Sequence, residues 1–169
     1  MTAKLALVPD RESAIDHTDK IQLRVWLRLL TCTNMIEGQV RTRLREDFDT
    51  TLPRFDLLAQ LEREKQGLTM GELSSRLMVS GGNVTGLVDS LQREGLVERT
   101  PHPDDRRRQI IRLTPKGRVA FDAMTPVHEQ WIDAMTAELS RAEMAELIRL
   151  LGKLKSSIQN AGTQPRRGA

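Results

Sequence analysis

Around residue 80 the helical spacing of apolar residues stops and restarts, and this break constrains the chain more than any other feature. Thr69-Met70-Gly71-Glu72 has the form of a capping box, in which the threonine and glutamate side chains each satisfy an orphan backbone donor at a helix start. Leu73 and Leu77, four apart, give that short helix one apolar face. The pattern lapses between Met78 and Gly82, and Val84, Leu87, Val88 and Leu91 then resume helical spacing until Gly95 stops it. Beyond Gly95 the period shortens, so that Leu96–Thr100 and Gln109–Leu113 both suit strands. Pro101–Arg108 lies between them as a polar, proline-stiffened loop. Two short helices joined by a tight turn and followed by a hairpin with a basic tip are predicted.

Longer helical patterns flank this centre. From Asp19 to Phe48, Val25, Leu29, Cys32, Ile36, Val40, Leu44 and Phe48 recur every three or four positions, and Trp26, Leu30 and Thr33 widen the stripe. Pro53 fits the first turn of a second helix whose buried face is Phe55, Leu58 and Leu61, with Gly67 as its stop. Thr114-Pro115 starts a further helix that includes Val119, Met124, Trp131 and Met135, with a kink expected at Pro126. Ser140-Arg141-Ala142-Glu143 is a second capping box, and it launches a stripe of Leu147, Leu150, Leu151, Leu154 and Ile158. The fold class expected is mainly α with a small β-hairpin wing, a winged helix-turn-helix set between N- and C-terminal dimerisation helices. Residues 1–18 read as a flexible arm, 19–52 and 115–160 as a helical dimerisation region, 53–114 as the winged unit, and 161–169 as a disordered tail.

Composition removes several classes of function. Apolar runs such as Leu5–Val8 are too short to cross a bilayer, and that run ends at Pro9-Asp10 without a small-residue cleavage site, so a cytoplasmic protein is expected. The single cysteine, Cys32, excludes an internal disulfide framework and a multi-cysteine metal site. His17, His102 and His128 form no paired ligand spacing, and no nucleophile–base pair or carboxylate dyad stands out, so neither an enzyme nor a bound metal or other cofactor is expected.

Charge is informative by its placement. Seven basic residues lie between Arg99 and Arg118 against only Asp104 and Asp105, so this segment alone exceeds the chain's net charge of +3 and the remainder is slightly acidic. One concentrated cationic segment on such a body is the outline of a polyanion binder, with a merely solvated basic loop as the alternative. Gly81-Gly82-Asn83-Val84-Thr85-Gly86 lacks the Lys-Ser/Thr pair of a nucleotide-phosphate loop. It falls instead at the start of the second helix of the turn motif, where missing side chains let the backbone approach a groove. Ser80 can cap that helix, and Ser80, Asn83 and Thr85 can offer small hydrogen-bonding groups to base edges. A guanidinium at the hairpin tip, Arg107 above all, can enter the minor groove, with Asp105 orienting a neighbouring arginine. Arg76, Arg93, His102, Arg106 and Arg108 suit phosphate contacts. Double-stranded DNA is thus the expected partner.

Asp105-Arg106-Arg107, then Leu113-Thr114 and Lys116-Gly117, resembles the wing signature of the MarR family of transcriptional regulators. Asn83–Asp89 through Gly95-Leu96-Val97 is similar to that family's recognition helix, and the resemblance spans about residues 20–158. It implies a homodimer on a palindromic operator, released by a small ligand or by oxidation. Gly86 and Ser90 stand where family members often carry arginine, which shifts the expected affinity toward the wing and Arg93.

Dimerisation also has a physical basis, because the terminal helices carry more apolar face than a small winged unit can cover. Arg41 and Arg45, four apart beside the Val40-Leu44-Phe48 stripe, can clamp a carboxylate or phosphate, or can simply be solvated. The segment Arg24–Arg63 is similar to MarR members governing aromatic-acid degradation. This resemblance implies an aromatic acid or its coenzyme A thioester as effector, in a cavity walled by Trp26, Leu30, Thr33, Phe48, Phe55 and Trp131, although the same residues can be ordinary core. Cys32 on the apolar stripe reads by default as a small buried residue, with redox sensing as the alternative switch. A ligand-independent architectural DNA-binding protein is the remaining alternative.

Overall fold

The computed structural model describes residues 20–105 and 107–163, with the side chains of 162 and 163 left aside. The expected N-terminal arm and Arg106 lie outside the described residues, as does the tail beyond Thr163. The chain forms α1 (Ile21–Phe48), α2 (Leu52–Arg63), β1 (Leu68–Thr69), α3 (Met70–Leu77), α4 (Gly81–Arg93), β2 (Val97–Pro101), β3 (Gln109–Leu113), α5 (Pro115–Met135) and α6 (Arg141–Thr163). Two compact units divide within α5, between His128 and Glu129.

The helix starts follow from local chemistry. The Thr69 hydroxyl accepts from the Glu72 amide at 3.3 Å, and the Glu72 carboxylate accepts from the Thr69 amide at 2.8 Å, completing the capping box of α3. The Thr69 hydroxyl also donates to Glu72 and, with the backbone bond, holds that carboxyl below its ordinary pKa. Ser140 and Glu143 make the same reciprocal bonds at the start of α6. Thr114 caps α5 by accepting from the Gly117 amide at 3.0 Å, with Pro115 as the first helical residue. Gly95 ends α4 at φ +72°, its amide bonded to the Gln92 carbonyl while the Leu96 amide reaches the Leu91 carbonyl.

In the first unit, Leu44 of α1, Leu57, Leu58 and Leu61 of α2, Leu73 of α3, and Val84, Val88 and Leu91 of α4 are all buried. Leu68, Val97 and Ile111 add the inner face of the sheet. Phe55 is also buried, its ring centroid 5.5 Å from Phe121 and 4.8 Å from His128.

Three expectations are corrected, and the excess apolar face expected on the terminal helices is found on α1. The hairpin is part of a three-stranded sheet, ordered β1-β3-β2, because Leu68 and Thr69 pair antiparallel with Ile111 and Ile110. A two-residue strand is too short to show a period, and Thr69 reads first as a helix cap. The stripe on α1 is covered only in part, since Val40 and Leu44 are buried but Val25 and Ile36 are exposed. Cys32 is exposed rather than buried, because it lies on the uncovered N-terminal stretch of that stripe. Residues 161–163, expected in the tail, continue α6.

Gly117 marks the tightest approach in the described fold. A Cβ there would lie 1.9 Å from the Leu96 carbonyl oxygen and 2.8 Å from its carbon, both rigid backbone. α5 can therefore start against the root of β2 only without a side chain at that position. Gly117→Ala is expected to destabilise the fold by about 1–3 kcal/mol through overpacking, read as a lower midpoint in urea unfolding.

Candidate nucleic-acid interface

α4 is divided lengthwise. Val84, Val88 and Leu91 face the core, while Ser80, Gly81, Gly82, Asn83, Thr85 and Gly86 are exposed. The Ser80 side chain accepts from the Asn83 amide at 3.5 Å, a long N-cap bond. Thr85 donates its hydroxyl to the Gly81 carbonyl at 2.9 Å, which leaves its oxygen lone pairs facing outward from a fixed rotamer. A Cβ placed on Gly81, Gly82 or Gly86 would meet nothing within 4 Å. The protein's own packing therefore does not require these glycines, each of which costs the helix roughly 1 kcal/mol relative to alanine.

The wing tip is built from backbone bonds around Asp105. Its carboxylate accepts from the Arg107 amide at 3.0 Å, and its carbonyl accepts from the Arg108 amide at 2.9 Å. Asp105 thus places Arg107 through the backbone, as an Asx turn does, in a bond other than the side-chain pairing expected. His102 Nδ1 accepts from the Asp104 amide at 3.2 Å, and the His102 amide donates to the Arg108 carbonyl at 3.0 Å. The ring is therefore engaged in shaping the loop. Arg107 and Arg108 are exposed, and together with Gln109 they face Thr69, Met70 and Gly71 across an open cleft of about 340 Å³ at the start of α3. Both the wing tip and the N-terminal half of α4 are open to solvent.

Other cations of the basic segment are engaged. Arg99 pairs with Asp89 and Arg118 with Glu62, Arg112 donates to the Thr100 hydroxyl at 2.7 Å, and Lys116 donates to the Glu94 carbonyl at 2.8 Å. Among the described residues of this segment, Arg99 and Arg118 are thus neutralised by acids, while Arg107 and Arg108 stand exposed at the tip. Arg76 is exposed on α3, 3.4 Å from Glu64. Arg93 is exposed at the end of α4, beside Asp89 and Gln92.

The residues expected to wall an effector cavity are dispersed in character. Trp26, Leu30 and Thr33 are exposed on α1, Phe48 is half-buried and Phe55 is core. Arg41 lies 3.4 Å from Glu37 and Arg45 is exposed, while Trp131 is buried in the second unit. Two features near these positions escaped sequence reading. Arg54, at the start of α2, donates to both carboxylate oxygens of Glu94 and to the Ser90 hydroxyl. Asp56, half-buried on the same helix, has its pKa raised by burial and, secondarily, by the charge of Glu37. Neither pairing could be found by spacing, because the partners come from different helices. Among the described residues, no group of three His, Cys, Asp or Glu could hold a metal ion, and no helix is long and apolar enough to cross a membrane.

A helix-turn-helix with its second helix exposed along one side, beside a strand-borne cationic loop, defines a winged helix-turn-helix of the DNA-binding class. The MarR family model matches residues 48–108. The chain is 32% identical to the transcriptional activatory protein BadR of Rhodopseudomonas palustris over 94% of this chain and 91% of that one. It is 33% identical to the transcriptional repressor NicR of Pseudomonas putida, over 56% of this chain and 60% of that one. Among solved structures, the DNA complex of MepR from Staphylococcus aureus aligns with a TM-score of 0.68 at 26% identity, over 77% of this chain and 95% of that one. A MarR family regulator from Silicibacter pomeroyi aligns with a TM-score of 0.69 at 30% identity, over 81% and 94% of the two chains. The chain belongs to the MarR family. It is a DNA-binding transcriptional regulator, a class distinct from enzymes.

Asp56 supplies a pH-dependent prediction. A carboxyl whose folded pKa is raised binds protons more readily in the folded state, so it costs stability as pH rises above the unfolded value near 3.8. Asp56→Asn is expected to raise the thermal midpoint at neutral pH and to confer no such gain below about pH 4, measured by thermal scans across that range.

Proposed function

We propose that the chain acts as a homodimer on a palindromic operator, with α4 in the major groove and the wing tip in the adjacent minor groove. The observation that carries this reading is the pairing of two exposed surfaces: an α4 N-terminus stripped of side chains for no internal reason, and the Arg107–Arg108 tip. Ser80, Asn83 and Thr85 would read base edges, Gly81 and Gly82 would allow close approach, and Arg107 would probe the minor groove. Arg76, Arg93, His102, Arg106 and Arg108 would serve phosphates, with Asp105 holding the tip in shape. The expected division of the chain into a winged DNA-binding segment, 53–114, and flanking dimerisation helices, 19–52 and 115–160, belongs to the same reading.

Support for the dimer comes from apolar surface that the single chain leaves open. On α6, Leu147, Leu150, Leu151 and Ile158 are exposed by 39–63%, with Leu154 half-buried. On α1, Ile21, Val25, Trp26, Met35 and Ile36 are exposed as well. Exposed apolar stripes of this kind on a helix mark association sites, and twofold pairing would space two recognition helices for one duplex. The effector in this reading is an aromatic acid or its coenzyme A thioester, taken by first-unit residues among Trp26, Leu30, Thr33, Phe48 and Phe55 with Arg41 and Arg45 as anion partners. Release of a repressed operator is the expected outcome, although BadR is named an activator and NicR a repressor. The exposure of Cys32 favours a second reading, in which oxidation of that thiol governs release.

Three measurements test the proposal. Arg107→Ala is expected to weaken operator binding by about 1–3 kcal/mol at moderate salt, and unchanged binding would remove Arg107 from the interface. Thermal-shift screening with aromatic acids and their coenzyme A thioesters should find a ligand that raises the melting temperature and loosens the operator complex; stabilisation by none of them would reject this effector class. Cys32→Ser abolishing peroxide-driven release would replace the ligand switch with the redox one.

A further inference from the structure

The recognition helix is held at its C-terminal end by side chains from two other elements. Arg54 of α2 grips Glu94 bidentately and bonds the Ser90 hydroxyl at 2.9 Å. Its side chain is only 17% exposed, against 47% for Glu94. Arg99 of β2 pairs with Asp89 one residue before Ser90. On a helical wheel, Asp89 lies about 100° from Ser90, so the two contacts restrain different sides of α4. Among the described residues, no comparable ion pair to another element is seen in the first two turns, where Asn83 and Thr85 lie.

We infer that Arg54 is a positioning residue for DNA reading: with Glu94 and Ser90 it sets the aim of the α4 N-terminus from the far end of the helix. This rests on the proposed operator contacts and deepens them. α4 is about 20 Å long and Asn83 and Thr85 lie about 15 and 12 Å from its C-terminal end, so a tilt of about 5° about that end moves them by roughly 1 Å. That displacement exceeds what a base-edge hydrogen bond tolerates. A bidentate guanidinium–carboxylate pair fixes direction as well as distance, which a lysine in the same place cannot do. Arg54 lies in the first turn of α2, only a few residues beyond the left-handed turn at Asp49 that ends α1. Any reorientation of α2 relative to α1 would therefore reach the recognition helix through this contact. The grip also accounts for Ser90 on α4: its hydroxyl is used inward, on Arg54.

The test is a double-mutant cycle of Arg54→Ala and Glu94→Ala, with Arg54→Lys alongside. The probe is a duplex that the wild-type chain recovers from a random-sequence pool, compared with its scrambled counterpart across a salt series. The expected result is a roughly tenfold loss of affinity for the recovered duplex in Arg54→Ala, no further loss in the double variant, and incomplete rescue by lysine. Scrambled-duplex binding and the salt slope should stay as in the wild type. A slope lowered by about one, with both duplexes weakened alike, would make Arg54 a phosphate contact and overturn the inference. A lower melting temperature with unchanged affinity of the folded protein would make the contact merely structural and overturn it too. Hydrogen exchange on the DNA-free chain decides the point independently: amides of α4 should exchange faster in Arg54→Ala while those of α3 do not, and equal protection overturns the inference. A wild-type chain that recovers no sequence would defeat the operator reading alone, leaving exchange to judge the contact.

Discussion

Burial of Val84, Val88 and Leu91 fixes the rotation of α4 about its own axis, and the surface it turns to solvent follows from it. Each side chain is removed from water against α2, α3 and β2, a gain of roughly 1.5–3 kcal/mol apiece. Turning the helix by one residue would bring Thr85 or Asp89 inward in place of a valine, at the cost of burying a polar or charged group. The outward direction of Asn83, Thr85 and the glycines is therefore a by-product of the core. The glycines weaken the helix where it is most exposed, and the buried stripe offsets that weakness.

The parts of this arrangement visible in the sequence were those encoded within a few residues. Both capping boxes, the Thr114 cap and the stop at Gly95 depend on contacts over three to five positions, and each forms as the residue types dictate. The family resemblance located the wing and recognition helix for the same reason, since its signature is contiguous. What escaped was pairing at long separation. β1 exists only because β3 is there to bond it, and two residues carry no alternation. Arg54 and Glu94 are forty positions apart, and nothing in either neighbourhood announces the other. Cys32 was misplaced because a place on an apolar stripe was read as a buried one, whereas on α1 only Leu27, Val40 and Leu44 are buried in the single chain.

Charge counting along the chain had a related weakness. It located a cationic segment correctly but treated its members as equivalent. In the fold, Arg99 and Arg118 neutralise acids on neighbouring helices, and Arg112 and Lys116 stitch the wing to its surroundings. Arg99 and Arg118 thereby lose most of their pull on an outside polyanion, whereas Arg112 and Lys116, bonded to neutral oxygens, keep their charge, and Arg107 and Arg108 carry theirs at the tip. This sharpens orientation, since a few exposed guanidinium groups on a turn shaped by Asp105 present a directed charge in place of a diffuse one.

The order β1-β3-β2 puts β3 in the middle and leaves β2 as the longer of two edges. An edge strand is ordinarily a template on which another chain can add its own backbone and begin aggregating. Here β2 is five residues long, carries Glu98 and Arg99, and ends in Pro101, which has no amide hydrogen to offer. Strand addition is discouraged along β2 by its charges and its terminal proline, and along β1 by a length of only two residues, so neither edge of the sheet invites another chain's backbone.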